Sequence, residues 1–304
     1  MERPRETMRL HVCIPSFEYP IGIERALQSL TLQTFRDFSV TVSDDSASNA
    51  VRDVVRGFEQ RLPITYVRNT PPRGVPDNWN AWVGTGDSEY VQLLHHDDWL
   101  TQPDSLAKLV EALDNAPEAA FAFCNSVGSR ADGSLIQISR PWPGWEERLA
   151  AMGDRAFIFG NFVGAPSAVV FRRQTQARFD PQFKWVVDMD FYAQMLTAGA
   201  RVVHVDEPLI AILAEGDGRM TAACVAQPDL LAREYVILFR KLYGLRWPGF
   251  KVARCLMRGI DVHGSSRLNG SVIASAGANL TAQAAIFLVL LRRFCKAALG
   301  RTGA

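Results

Sequence analysis

Tyr90-Val91-Gln92-Leu93-Leu94-His95-His96-Asp97-Asp98-Trp99-Leu100 is the stretch on which the fold turns: an apolar run ends abruptly in two histidines and two carboxylates. A short β-rich run of this kind reads as a buried strand, and charges just past its end lie where an open α/β sheet places ligands. Adjacent Asp side chains repel each other and lose solvation in a cleft, so a cation should compensate them. A hard divalent ion accepts such oxygen ligands. The competing reading is a solvated turn, because Asp is a common turn residue and helix cap.

Upstream, the same grammar repeats. Residues 10–14 read as a first buried strand stopped by Pro15, and residues 21–33 carry Ile23, Ala26, Leu27 and Leu30 at helical spacing. A second strand over 38–42 runs into Ser43-Asp44-Asp45-Ser46, so carboxylates again follow a strand. A helix over 51–61, a strand over 64–67 and a helix around 78–83 lead into the quoted stretch. This alternation predicts an α/β protein with an open, mostly parallel sheet covered by helices on both faces.

Downstream, residues 103–115 read as helix and 119–124 as strand, whereas 125–166 are less regular. Arg140-Pro141-Trp142-Pro143-Gly144-Trp145 is too proline-rich for helix or central strand and reads as a loop. Strand character resumes over 167–171. A helix over 188–198 holds Asp188 and Asp190 in its first turn, and short strands follow over 201–205 and 209–213. Beyond Asp229 only helical signals remain, which places a boundary near residue 225. The last helix, about 271–299, is apolar nearly all round before Arg292, Arg293 and Lys296. Packing on the catalytic domain, a homodimer contact and a peripheral position at a membrane surface are all open to it.

The 304 residues carry a net charge of +1, which gives no bulk argument for nucleic-acid binding. The five cysteines form no CxxC pair, against a zinc or disulfide framework, and fit a reducing, cytoplasmic location. Residues 1–9 lack the apolar core of a signal peptide.

In their order, these segments resemble the family 2 glycosyltransferases, inverting sugar-transferring enzymes of the GT-A fold. Cys13-Ile14-Pro15-Ser16-Phe17 is similar to the family's first strand and turn, Val42-Ser43-Asp44-Asp45-Ser46-Ala47-Ser48 to its second-strand acidic motif, and Leu94 to Leu100 to its metal-binding segment. Gly164-Ala165-Pro166-Ser167 through Arg173, and Val187-Asp188-Met189-Asp190-Phe191, resemble its acceptor-side motifs. The resemblance spans about residues 8–225. It implies a GT-A nucleotide-diphospho-sugar transferase domain there, with a C-terminal helical extension over 226–304.

What the resemblance implies for single residues is specific. Asp44 would accept from the N–H of a donor base such as uracil, supported by Asp45 and walled by Pro15, Ser16, Phe17 and Glu18. Arg68 and Asn78 would meet ribose or phosphate, or serve as surface and capping residues. Asp97 and Asp98 would hold Mn2+ or Mg2+ on the diphosphate, the ion acting as Lewis acid for the departing group. His95 stands where the family has an acid; with His96 it faces the donor, or it closes the strand structurally. Asp188 would take the proton from the acceptor hydroxyl, with a helix cap as the alternative, and Asp190 would support it. Val187 replaces a frequently acidic neighbour. A later family histidine has no counterpart in residues 213–221, where Glu215 or Asp217 could bind the metal and Arg219 a phosphate. Trp142, Trp145 and Trp185 would stack on an acceptor sugar, or pack.

The expected partners are a nucleoside-diphosphate sugar, UDP favoured over dTDP and GDP, and a glycan or lipid-linked acceptor in cell-surface polysaccharide synthesis. An oxidoreductase would show a G-x-G-x-x-G turn where Pro15-Ser16-Phe17-Glu18 stands. A sugar nucleotidyltransferase would open on a glycine- and basic-rich loop. A catalytically inactive nucleotide-sugar or glycan-binding module of the same fold is the remaining alternative; the joint presence of Asp44, Asp97, Asp98 and Asp188 argues against it.

Overall fold

The computed structural model describes residues 8–196, 199–214, 224 and 227–244. They fall into two compact units. One holds 8–143, 162–181 and the described part of 194–214; the other holds 144–161, 182–193, 224 and 227–244.

The first unit is built on a nine-stranded sheet. Its parallel half is β1 (Leu10–Ser16), β2 (Phe38–Asp44), β3 (Ile64–Arg68) and β4 (Tyr90–Leu93), in the order β3-β2-β1-β4. β1 is central, and Leu10, Val12, Cys13 and Ile14 have no solvent exposure, as a strand covered on both faces requires. The crossover helices are α1 (Pro20–Thr31), α2 (Ala50–Arg56) and α3 (Asp77–Val83). On α1, Ile23, Ala26, Leu27 and Leu30 face the core at the spacing expected of one helical stripe, and Pro20 occupies its first turn, where a missing N–H costs nothing.

After β4 come β5 (Trp99–Leu100), α4 (Ser105–Asp114), β6 (Ala119–Ser129), β7 (Leu135–Ser139), β8 (Val169–Arg172) and β9 (Arg201–Leu213). β8 is inserted between β4 and β6 and runs antiparallel to both, while β6 and β9 are parallel. The short strands expected over 201–205 and 209–213 are one strand. Its register with β6 jumps from Val205 opposite Cys124 to Pro208 opposite Asn125, leaving Asp206 and Glu207 bulged out. Proline cannot donate to a ladder, so a bulge is where a continuing strand tolerates it. The bulged carboxylates accept from Asn125 Nδ2 and Lys108 Nζ, each at 2.7 Å. β7 falls in the stretch that reads as irregular, because all five of its residues are exposed and leave no in–out alternation to detect.

The second unit contains α5 (Trp145–Met152), a 3-10 helix over Gly153–Phe159, the first turns of α6 (Val187–Leu196), and α7 (Pro228–Tyr243). Leu231, Glu234, Tyr235, Leu238, Phe239 and Leu242 form the buried stripe of α7. Arg155 donates from Nε to Leu242 O at 3.2 Å and lies over the Tyr243 ring at 5.1 Å. Among the described residues, no helix is long and apolar enough to cross a membrane. Glu215, Asp217, Arg219 and the helix expected over 271–299 lie outside the described residues.

Candidate active site

β1, β2 and β4 are parallel neighbours, so their C-terminal loops emerge side by side and are stitched together. Asp45 N donates to Ser16 O at 2.9 Å, and Glu18 N to Ser46 Oγ at 2.7 Å. Glu18 Oε1 accepts from the Ala47 and Ser48 N–H groups at 2.7 and 3.2 Å, and Oε2 from Ser48 Oγ at 2.8 Å. These bonds, with Ser48 first among them, hold the exposed Glu18 carboxyl below its usual range. They also hold Glu18 at φ 45°, a conformation costing a non-glycine residue about 1–3 kcal/mol and concentrated at ligand clamps. Phe17 is 60% exposed at this rim, and its N–H donates to His96 Nδ1 at 3.1 Å. Gly22 is required where α1 starts against the β4 loop: an added Cβ would stand 2.4 Å from His96 O.

Asp44 and Asp45 do different work. Asp44 has no exposure; Oδ1 accepts from Ser46 N at 2.9 Å and from Ser46 Oγ, and Oδ2 from Tyr66 OH at 2.6 Å. Arg68 stands 3.7 Å from that carboxylate and donates to Tyr66 OH, Ala47 O and Ser48 O, closing the loop after β2. Asp45 accepts from Asn69 Nδ2, Arg73 N and Gly74 N at 2.8–3.0 Å and so pins the loop after β3. Asn78 is buried, accepting from Ser43 Oγ at 2.5 Å and donating to Ser43 O at 3.0 Å. A cleft of about 830 Å3 opens beside this loop, lined by Arg68, Asn69, Arg73, Asp77 and Asn80 among others; the β4 histidines and carboxylates do not line it.

At the end of β4, His95, Asp97 and Asp98 place one ligand atom each within 4.8 Å of one another. Asp98 is 2% exposed, and its Oδ2 accepts from Ser167 Oγ at 2.5 Å; the same oxygen of Ser167 accepts from His95 N at 3.0 Å. Ser167 is itself fixed by Gln92, which donates to its carbonyl at 2.8 Å. Asp97 is half-buried, and no described group hydrogen-bonds or ion-pairs its carboxylate. His95 lies against Trp79, ring centroids 4.8 Å apart, and its Nε2 is buried without a partner. Burial lowers His95 to about 4, against the opposing pull of the Asp97 charge, and lowers His96 in the same way. Both rings are therefore neutral at pH 7 and keep a lone pair. Two carboxylates and a neutral imidazole suit a divalent ion of the Mn2+ type, and His95 Nδ1 lies 3.9 Å from Asp98 Oδ2.

Asp188 belongs to the second unit. Oδ1 accepts from Met189 N at 2.8 Å and Oδ2 from Asn161 Nδ2 at 2.9 Å. It keeps a partly open surface, yet the dense packing around it raises the carboxyl to about 7; its hydrogen bonds oppose that shift and the Glu234 charge adds to it. A carboxyl tuned to neutrality is suited to taking a proton. Asp190, expected beside it, is 2% exposed and paired with Lys241 at 2.7 Å. Trp142 lies in the first unit, edge-on to Phe162 with centroids 6.0 Å apart, whereas Trp145 starts α5 and Trp185 precedes α6 in the second.

Trp79, Asn161 and Glu234 carry no role in the sequence reading, and Ser167 enters it only within the acceptor-side stretch from Gly164 to Arg173. Asn161 offered no signal beyond residue type. Glu234 did: it falls three residues after Leu231 and four before Leu238, so a carboxylate occupies the apolar stripe of its helix.

The description "Glycosyl transferase family 2" matches residues 11–176, more than half of the chain. The chain belongs to that family. An uncharacterized protein of Mycobacterium tuberculosis is 27% identical over 206 residues, covering 63% of each chain. A GalNAc(5)-diNAcBac-PP-undecaprenol beta-1,3-glucosyltransferase of Campylobacter jejuni is 28% identical over 118 residues, 38% of each. The chain spans less than two thirds of the length of these curated relatives. Among solved structures, S. aureus TarS 1–349 in complex with UDP-GlcNAc aligns at TM-score 0.61 and 18% identity, covering 92% of this chain and 78% of that one. The mannosyltransferase PcManGT of Pyrobaculum calidifontis, with GDP-Man and Mn2+, aligns at 0.57 and 17%, covering 97% and 81%. The fold is thus that of GT-A glycosyltransferases.

Proposed function

We propose that this protein is a metal-dependent inverting glycosyltransferase that moves a sugar from a nucleoside-diphosphate donor, UDP favoured, to a hydroxyl of a glycan or lipid-linked glycan. The observation that carries the reading is the His95, Asp97 and Asp98 cluster at the C-terminal end of β4, with the Asp97 carboxylate bonded to nothing described. UDP-GlcNAc, UDP and GDP-Man in the aligned structures support a nucleotide-sugar donor.

Mn2+ or Mg2+ held by Asp97 and Asp98, with His95 as nitrogen ligand, would supply Lewis-acid stabilisation to the leaving diphosphate. The chain does the rest. Phe17 and Glu18 form the rim over Asp44 and wall the base; Arg68 and Asn78 keep the loops after β2 and β3 in place beneath it. Asp188 accepts the proton of the acceptor hydroxyl as the oxygen attacks the anomeric carbon from the face opposite the leaving group. Its carboxyl near 7 leaves a substantial ionised fraction at neutral pH and makes it a stronger base than an exposed Asp. A role in cell-surface polysaccharide synthesis, at the cytoplasmic membrane face, is the setting that suits such an acceptor.

Calorimetric titration with UDP, dTDP and GDP, each with and without Mn2+, tests donor and metal together. Binding of one nucleotide that strengthens with Mn2+ is expected. No binding of any by the folded protein refutes the reading and leaves the sugar-binding module.

A further inference from the structure

We infer that Glu234, on α7, is a positioning residue for the proton-accepting carboxylate Asp188. The inference rests on the proposed role of Asp188. The observation is a set of three contacts: the Glu234 carboxylate accepts from the backbone N–H groups of Lys184, Trp185 and Val186, at 2.9, 2.8 and 3.2 Å. These residues lead directly into α6, whose second residue is Asp188.

A carboxylate that accepts several backbone N–H groups ahead of a helix fixes where that helix begins. Glu234 is 1% exposed, so no water competes for those donors. Its position within α7 is not one that stability alone would choose. The neighbouring positions of the stripe, Leu231, Tyr235, Leu238 and Phe239, are apolar or aromatic, and a buried charge is costly unless it is fully bonded. Seven residues on, Lys241 pairs with Asp190 at 2.7 Å and stands over the Phe183 ring at 5.2 Å. One face of α7 therefore grips α6 twice: its acid on the backbone just before the first turn, its base on the acid two residues past Asp188. Between these grips, Asn161 and Met189 N fix the two Asp188 oxygens.

Within this unit the titratable groups facing Asp188 are Glu234 and Tyr235 on α7 and Tyr192 on α6 itself. Both tyrosines are raised by burial and stay neutral, so among the described residues of this unit the charge acting on Asp188 is that of Glu234. Like charge disfavours a second carboxylate, so Glu234 holds the Asp188 carboxyl higher as well as holding it in place.

The test is Glu234→Gln beside Glu234→Asp and Asp188→Asn. The protein is labelled with 13Cγ-aspartate, and Asp188 is assigned as the resonance that disappears in Asp188→Asn. Release of UDP from UDP-glucose and UDP-N-acetylglucosamine with Mn2+ is followed in parallel. Glu234→Gln keeps one acceptor oxygen but loses the charge, so the Asp188 midpoint moves to lower pH. kcat falls on the order of 10²-fold, the scale of a misplaced reacting group, while KM for the donor changes little. Glu234→Asp keeps the charge but withdraws it, so kcat falls with a smaller change in midpoint. A native Asp188 midpoint in Glu234→Gln, or loss of kcat only in proportion to melting temperature, overturns the inference. Where Glu234→Gln does not fold, Glu234→Asp carries the same comparison against native protein. Turnover that survives in Asp188→Asn sinks the proposed role of Asp188 instead, a failure distinct from a Glu234 variant that behaves as native.

Discussion

Ser167→Ala should loosen the proposed metal site without replacing one of its proposed ligands. Ser167 is fully buried, and its hydroxyl both donates to Asp98 and accepts from the His95 N–H. Alanine leaves those two groups without that partner in a space closed to solvent. A buried group so abandoned costs ~1–3 kcal/mol, so the folded state should lose about 2–4 kcal/mol. At roughly 2–4 °C per kcal/mol for a domain of this size, the melting temperature falls by about 5–15 °C. Because the same hydroxyl orients Asp98, Mn2+ affinity should drop ~10–100-fold, the usual effect of removing a residue behind a metal ligand. Scanning calorimetry and Mn2+ titration on one preparation separate the two effects. A melting temperature within about 2 °C of native, together with unchanged Mn2+ affinity, would refute the reasoning from buried hydrogen bonds.

Three further outcomes are expected. Asp97→Ala should lose Mn2+-dependent nucleotide binding with little change in stability, because no described group bonds the Asp97 carboxylate, whereas Asp98→Ala should lose both; equal melting curves for the two variants contradict that division. Asp188→Asn should abolish transfer while keeping UDP affinity. A carboxyl raised by burial from 3.8 to about 7 destabilises the fold progressively as pH climbs from about 4 through 7, so this variant should exceed native stability at pH 8 by about 2–4 kcal/mol and show no gain at pH 4. Denaturation at the two pH values decides it. Asp45→Ala strips the acceptor from Asn69, Arg73 and Gly74, and should raise amide exchange over 69–74 while the core strands stay protected; unchanged exchange there removes Asp45 as the pin of that loop.

The parallel half of the sheet was legible because burial on both faces leaves a continuous apolar run, and the helical stripe of Ile23, Ala26, Leu27 and Leu30 because one buried face imposes a period. β7 was not, since an exposed strand carries no such imprint. The bulge at Pro208 was misread as a gap because proline breaks a ladder locally without showing whether the strand resumes in the same line.

For the site, local pattern alone shows which carboxylates stand at strand ends, because strand length and alternation are local properties. It placed Asp44, Asp45, Asp97 and Asp98 there, and Asp188 in the first turn of a helix. Which of them are held inward and which are left open was decided only in three dimensions. Asp44 and Asp45 spend their oxygens on loops, and Asp98 is turned onto Ser167, 69 residues away, by the insertion of β8 beside β4. Glu234 reaches the backbone before Asp188 from a helix some 50 residues on. A hydrogen bond depends on distance and angle between groups whose separation along the chain is arbitrary, so the composition of the site is written locally while its pairing follows from tertiary packing.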